Sequence, residues 1–157
     1  MMLSATDRAA LTNLVHRYAA GIDDRQFHSA AELFTEDAEL TLPEPPTTLD
    51  PVRRHRGHAA ISEALAAVAT TIRTQHAIAS EVYDAGPRPG TARGRIACVA
   101  HHWVHHDDQI RDVVWHLRYD DEYQRIDADW RICSRALTID AIEARPARQV
   151  RRGGASA

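Results

Sequence analysis

The sequence predicts an α+β fold in which helices pack on one face of a curved, mostly antiparallel sheet. Up to residue 72, apolar residues recur at the spacing of amphipathic helices. From residue 74 onward they alternate with polar residues, which is typical of strands with one buried face. Because the helices come first and the long strands follow one another, we expect separate layers of helix and sheet around one core.

Three helical segments account for the first part of the chain. Ser4 and Asp7 are a capping pair for the first helix, and Gly21 marks its end. A short second helix is expected over SAAELF (29–34), and Gly57 opens the third. The apolar stripe of the first helix comprises Leu11, Leu14, Val15, Tyr18 and Ile22, and that of the third comprises Ile61, Leu65, Val68 and Ile72.

The remaining segments are predicted from alternation and from turn residues. ELTLP (39–43) indicates a short strand, and the polar, proline-rich segment 43–56 is expected to be a loop or flap. Four strand-like segments follow, separated by turns at 86–90, 106–109 and 127–129. We expect one domain over residues 1–144. The segment 145–157 carries four arginines and two glycines, so we expect a disordered basic tail.

Composition narrows the classes of function. The chain of 157 residues has a formal net charge of -3, which gives no reason to expect nucleic acid or an anionic membrane as a partner. No apolar run approaches the roughly 20 residues of a membrane span, and the N-terminal residues lack the pattern of a signal peptide. We therefore expect a cytoplasmic protein in which Cys98 and Cys133 are reduced core thiols.

Several stretches resemble one known family. They are RYAAGIDDRQF (17–27), LFTEDAEL (33–40), RGHAAISEAL (56–65), TQHAI (74–78) and RYDDEYQRIDADWRICSR (118–135). Together they resemble the SnoaL-like, scytalone dehydratase-like branch of the nuclear transport factor 2-like superfamily. The resemblance covers about residues 6–140. It implies a cone-shaped α+β barrel, but the fold hosts many chemistries, so the function must be argued from the site.

The resemblance also implies site residues. Scytalone dehydratase and hexachlorocyclohexane dehydrochlorinase pair a catalytic histidine with an aspartate, and Asp23 and His76 occupy those positions here. A second histidine of the dehydratase is matched by His101, or by its neighbour His102 if the register differs by one. Tyr119 would face the cavity, where its phenol could bind a substrate oxygen. Two tyrosines of the dehydratase are replaced here, by Ile22 and Leu42.

The HHWVHH run (101–106) also raises the question of a metal site. Alternation on a strand gives each face two histidines without a clear carboxylate or cysteine companion, whereas zinc requires three or four clustered ligands. We therefore expect no metal and no cofactor, and predict that His101 and Trp103 point into the cone. Trp115 and Tyr18 would add to its walls, although core packing explains Tyr18 equally well.

These observations favour a cofactor-independent lyase of the dehydratase type. An Asp23–His76 dyad would remove a proton from a small, hydrophobic, cyclic, oxygenated substrate. A polyketide-type cyclase or a ketosteroid-like isomerase could use the same base. The alternative from another class is a non-catalytic module that binds small molecules or assists assembly. The family resemblance also implies a homo-oligomer, either a dimer or a trimer.

Overall fold

The computed structural model describes residues 2–152 and shows three α-helices layered against one six-stranded sheet. The helices are α1 (Ala5–Asp23), α2 (Phe27–Ala31) and α3 (Gly57–Leu65), and a 3₁₀ turn (Ala66–Thr70) follows α3. The strands are β1 (Phe34–Glu44), β2 (Thr48–Arg56), β3 (Arg73–Ala85), β4 (Thr91–His106), β5 (Gln109–Ile126) and β6 (Asp129–Ala147). The predicted α+β class is therefore confirmed.

The sheet is mixed and open. Its strand order is β2-β1-β6-β5-β4-β3, so β2 and β3 are its two edges. All neighbouring strands are antiparallel except β1 and β6, which run parallel. The long strands β3 to β6 form a meander, because each is joined to the next by a short turn. The helices lie on one face of this sheet, called the inner face here, and leave the outer face uncovered by helix.

Helix α1 begins where the sequence predicts. Ser4 accepts a hydrogen bond from the Asp7 backbone N–H, and Asp7 accepts one from the Ser4 backbone, which makes a complete capping box. All five residues of the predicted stripe are buried. Because these residues recur at helical spacing, they form one face that packs against β3 and the inner face of the sheet.

Alternation along β5 shows which side chains face the core. Leu117, Tyr119, Asp121 and Tyr123 are buried, whereas Asp120, Glu122 and Gln124 between them are exposed. The same period of two places Cys98, Ala100 and His102 of β4 on the inner face. Burial raises the pKa of the Cys98 thiol to about 12, and both cysteines are free thiols.

The predicted loop at 43–56 is wrong. Most of this segment is strand β2, which pairs with β1 in a hairpin and places Leu40 opposite His55. The turn holds Pro45 and Pro46. Strand β2 lies at the edge of the sheet and has few buried positions, so its sequence lacks the alternation that reveals a half-buried strand. Its Pro51 is compatible with an edge position.

Other boundaries also differ from the sequence prediction. The second helix lies slightly earlier than 29–34, and Phe34 already belongs to β1. The third helix ends at Leu65, so Ile72 lies outside it. Strand β6 continues to Ala147, past the predicted domain end at residue 144, because Arg145 to Ala147 pair with the start of β5. Residues 153–157 of the predicted tail lie outside the described part of the chain.

None of the helices within residues 2–152 combines the length and the hydropathy needed to cross a membrane.

Candidate active site

A cavity of about 350 Å³ lies between the inner face of the sheet and the helical layer. Its wall is mainly aliphatic and aromatic, and the side chains with polar atoms are those of two histidines, two tyrosines, two threonines and Trp115. The lining residues come from α1, β1, α3, the 3₁₀ turn and strands β3 to β6. Such a wall suits an apolar ligand that is oriented by a few polar contacts.

Asp23 and His76 form a close pair at this cavity. His76 Nδ1 lies 2.7 Å from Asp23 Oδ1, although 53 positions separate the two residues in the chain. Asp23 is the last residue of α1, and His76 faces inward from the start of β3, which packs against α1. Their side chains are 20% and 7% exposed, so water competes little for the contact.

Further donors hold the Asp23 carboxylate. The backbone N–H of His76 donates to Oδ2 at 2.8 Å, and the Thr74 hydroxyl donates to Oδ1 at 2.9 Å. Arg25 adds a link between the same two elements, because its guanidinium donates to the carbonyls of Thr71 and Ile72 just before β3. Hydrogen bonds to Asp23 and from Arg25 thus connect the end of α1 to the start of β3.

The carboxylate determines which nitrogen of His76 carries the proton. An ionised carboxylate only accepts hydrogen bonds, so Nδ1 must be the donor and the neutral ring leaves Nε2 without a proton. Nε2 has no hydrogen-bond partner among residues 2–152, and His76 lines the cavity. This is the arrangement of a general base whose conjugate acid is stabilised by a carboxylate.

His102 is the second histidine at the cavity. It is 8% exposed, and its ring lies edge-on to that of His76 with centroids 6.0 Å apart. Its Nδ1–H donates to the Val113 carbonyl at 2.9 Å, which leaves Nε2 as an acceptor. Burial in the apolar wall lowers the pKa of His102, and the Val113 hydrogen bond opposes that effect only in part. The ring is therefore neutral at neutral pH.

The predicted inward orientation of His101 and Trp103 is wrong. In the antiparallel register, Thr74 lies opposite His102 and His76 opposite Ala100, so the even-numbered residues of this part of β4 share the inner face. His101 and Trp103 lie on the outer face, where their rings stack with centroids 5.4 Å apart. His101 Nδ1 bonds Asp112 Oδ2 at 2.8 Å, which makes a second Asp–His pair remote from the cavity.

Two tyrosines line the floor of the cavity, and a buried arginine lies against their rings. Tyr119 and Tyr18 both line it, with ring centroids 5.9 Å apart. The Arg135 guanidinium lies 4.1 Å from the Tyr119 ring and 4.2 Å from the Tyr18 ring, and it donates two hydrogen bonds to Asp121. Burial raises the pKa of Tyr18 to about 12 and that of Tyr119 well above its usual value. Both phenols therefore remain protonated and can donate hydrogen bonds.

The structure brings most of the predicted site residues together. Asp23 and His76 are paired, and Tyr18, Ile22, Leu42, Trp115 and Tyr119 all line the cavity. Sequence reasoning placed His101 inward and left His102 as the alternative if the register differs by one, and it missed Thr74 and Arg135 altogether. Residues two apart on a strand share a face, so Asp121 lies on the same face as Tyr119. A buried acid needs a cationic partner, and this requirement was the available signal for Arg135. No sequence signal marked the 3₁₀ turn as a wall of the cavity.

Within residues 2–152, no three histidine, cysteine, aspartate or glutamate side chains come together as metal ligands.

Comparisons with solved structures show the same fold. A protein from Novosphingobium aromaticivorans, provisionally named a scytalone dehydratase, aligns with a TM-score of 0.73 at 20% identity, covering 94% of this chain and 91% of that one. A hexachlorocyclohexane dehydrochlorinase of type 2 aligns with a TM-score of 0.72 at 16% identity, covering 97% and 96%. ActVI-ORFA from Streptomyces coelicolor aligns with a TM-score of 0.68 at 20% identity, covering 85% and 96%. At these identities the likeness shows the fold alone.

Among curated proteins, no sequence matches significantly. The model of the SnoaL-like domain family matches residues 4–136, which is most of the chain and includes Asp23, His76 and every lining residue of the cavity except Leu137. The chain therefore belongs to the SnoaL-like domain family.

Proposed function

We propose that the protein is a cofactor-independent lyase of the dehydratase type, acting on a small, hydrophobic, cyclic substrate that carries a carbonyl group. The observation that carries this proposal is the 2.7 Å contact between Asp23 and His76 at the wall of a mainly apolar cavity. The solved structures of similar fold include proteins named as a scytalone dehydratase and a dehydrochlorinase, and both names describe eliminations. Small-molecule chemistry in such a cavity is consistent with the family.

The proposed reaction begins with proton abstraction. His76 Nε2 takes a proton from a carbon next to the substrate carbonyl, and the C–H electron pair moves into the enolate. Asp23 stabilises the imidazolium that forms, while a phenol of Tyr119 or Tyr18 donates to the developing enolate oxygen. In an elimination, the enolate electrons then form the C=C bond as the C–O bond to the neighbouring carbon breaks. The proton on His76 passes to the departing oxygen, and water leaves.

His102 takes the cavity position for which the family resemblance offers either His101 or, with the register shifted by one, His102. Because its Nδ1–H is committed to Val113, the neutral ring presents an acceptor to the cavity. It could accept from the O–H of the leaving hydroxyl and orient it toward the imidazolium of His76. The proposed catalytic set is therefore Asp23, His76, His102 and Tyr119.

Two alternatives share parts of this site. A cyclase or an isomerase would use the same base and the same phenols, since both reactions also begin with proton removal next to a carbonyl. A non-catalytic module would be favoured by a filled cone and by an Asp23–His76 distance beyond one bridging water. The open cavity and the direct contact favour the enzyme instead.

Proton abstraction can be tested before the natural substrate is known. The assay would follow, by NMR in D₂O, protein-dependent exchange of deuterium into the carbon next to the carbonyl of 1-tetralone and 2-tetralone. We expect His76→Ala and Asp23→Asn to slow this exchange by about 10²- to 10⁴-fold, the usual contribution of a general base. Full activity in both variants would contradict the proposal.

The outer face supplies a matched control. His101 and Asp112 form a pair with nearly the same geometry, 2.8 Å between Nδ1 and Oδ2, but away from the cavity. His101→Ala and Asp112→Asn should retain the exchange activity, with thermal melting used to check that every variant is folded. Equal losses in the inner and outer pairs would indicate a general effect on folding and would contradict the assignment of the base.

We also propose that the protein is a cytoplasmic homo-oligomer. The outer face of β5, which includes His116 and Arg118, is free of helix and is the proposed interface between copies. Light scattering of the purified chain would measure the oligomeric state, and a monomer at high concentration would contradict this interface.

A further inference from the structure

The Thr74 hydroxyl binds the carboxylate of Asp23 but has no role in the proposed reaction steps. Thr74 is 4% exposed, lies on the inner face of β3 two residues before His76, and pairs across the sheet with His102. Its Oγ1 donates to Asp23 Oδ1 at 2.9 Å. Asp23 Oδ1 also accepts a hydrogen bond from His76 Nδ1 at 2.7 Å, so the two donors share one oxygen of the carboxylate.

We propose that Thr74 is a positioning residue that fixes the plane of the Asp23 carboxylate and thereby the tautomer of His76. This inference rests on the proposed function for its chemical meaning. The torsion that orients a carboxylate about its last bond is broad, so a single donor leaves the plane of the group poorly defined. The His76 backbone N–H holds Oδ2, and Thr74 holds Oδ1 from a second direction. With both in place, the lone pair of Oδ1 is aimed at His76 Nδ1.

Without the Thr74 hydroxyl, Asp23 keeps the backbone donor but can rotate about it. The Oδ1 contact to His76 would then weaken, and the Nε2–H tautomer would become more populated. That tautomer places a proton where the base must be free, so it cannot abstract a proton through Nε2. The hydroxyl thus acts on the reaction through Asp23 and His76, without touching the substrate.

The decisive experiment reads the imidazole directly and needs no substrate. In full-length protein labelled with ¹⁵N-histidine, NMR gives the tautomer of His76 from its ring nitrogen shifts and the solvent-exchange rate of its Nδ1 proton. Thr74→Val keeps the shape of the side chain and removes the hydroxyl. We expect this variant to raise the exchange rate of the Nδ1 proton by roughly tenfold, the effect of losing one hydrogen bond to a charged group, and to show a measurable Nε2–H fraction.

Two matched variants separate positioning from a structural role. Thr74→Ser keeps the hydroxyl and should restore the wild-type imidazole signals. Thr12→Val removes an equivalent bond, from Thr12 Oγ1 to Glu81 Oε2 at 3.0 Å, outside the cavity, and should leave His76 unchanged. If Thr74→Val does not fold, Thr74→Ala takes its place in the comparison with Thr74→Ser. An unchanged His76 in the variant without the hydroxyl, or an equal change in Thr74→Ser, would overturn the inference.

The outcome can be separated from that of the proposed function. If removal of the hydroxyl changes His76 while His76→Ala leaves deuterium exchange into the tetralones intact, Thr74 holds the pair but the proposed base is wrong. If His76→Ala abolishes deuterium exchange into the tetralones while the NMR signals of the His76 ring do not change in Thr74→Val, the assignment of the base is supported and the positioning role of Thr74 is contradicted.

Discussion

The Arg135–Asp121 ion pair supports the floor of the cavity, and its removal has a predictable cost. Both side chains are 0% exposed, and the guanidinium donates to the two carboxylate oxygens at 2.8 and 2.6 Å. The Tyr123 hydroxyl also donates to Asp121, at 2.5 Å. Replacing Arg135 with Met would leave a buried carboxylate with this single donor, and replacing Asp121 with Asn would leave a buried guanidinium unpaired. Breaking a buried pair in this way typically costs about 3–5 kcal/mol.

Thermal unfolding measures this cost. For a chain of 157 residues, 1 kcal/mol corresponds to about 2–4 °C in Tm, so each single variant should melt roughly 6–20 °C lower. The double variant Arg135→Met/Asp121→Asn should lose less than the sum of the two, because neither charge is then left alone. Calorimetry and denaturant titration would give the free energies of unfolding and the coupling between the two sites.

An exposed pair on the β1–β2 hairpin is the control. Arg53 Nε donates to Glu44 Oε1, but the side chains are 64% and 41% exposed. Arg53→Met and Glu44→Gln should therefore change stability by only about 0–1 kcal/mol. A loss below about 1 kcal/mol in both buried variants, equal to that of the exposed pair, would refute the reasoning from burial.

Two further predictions concern the walls of the cavity. Burial lowers the pKa of His102, so around this pKa the unfolded chain binds more protons at this residue than the folded protein does. The free energy of unfolding should therefore fall as the pH drops from about 6.5 through the lowered pKa. His102→Gln should flatten that part of the curve of stability against pH. Arg25→Met removes the hydrogen bonds to the carbonyls of Thr71 and Ile72, so this segment should open more often. The backbone N–H groups of Thr71 and Ile72, which donate to the Val68 and Trp103 carbonyls, should then exchange roughly tenfold faster. Arg131→Met, which removes a bond to the Glu32 carbonyl, should leave both exchange rates unchanged.

The order of the elements was predictable because it depends on local patterns. Helical spacing and strict alternation are both visible in the sequence, and they assigned α1 and the four long strands. Strand β2 was missed because an edge strand has little buried surface and therefore little pattern. Its pairing with β1 is made by backbone hydrogen bonds, for which the residue types of an edge strand give little signal.

In the candidate site, too, some features are predictable from the sequence and others depend on tertiary packing. Asp23 and His76 were predicted through the family resemblance, and their contact depends on the packing of α1 against β3. Alternation established that only one of His101 and His102 can face the cavity, but it does not say which one. Register against β3 and β5 decides this, since a shift of one residue turns every side chain of a strand to the other face.

By itself, the sequence determined the layered α+β architecture, the buried faces of its main elements and the candidate acid and base. Only the tertiary structure decided which histidine accompanies His76, which hydroxyl holds Asp23 and which cation lies beneath the tyrosines. Periodicity depends on the backbone of one element and is local. The partners of Asp23 and Asp121, Thr74 and Arg135, come from other elements of the fold, 51 and 14 positions away, so they depend on how separate elements pack.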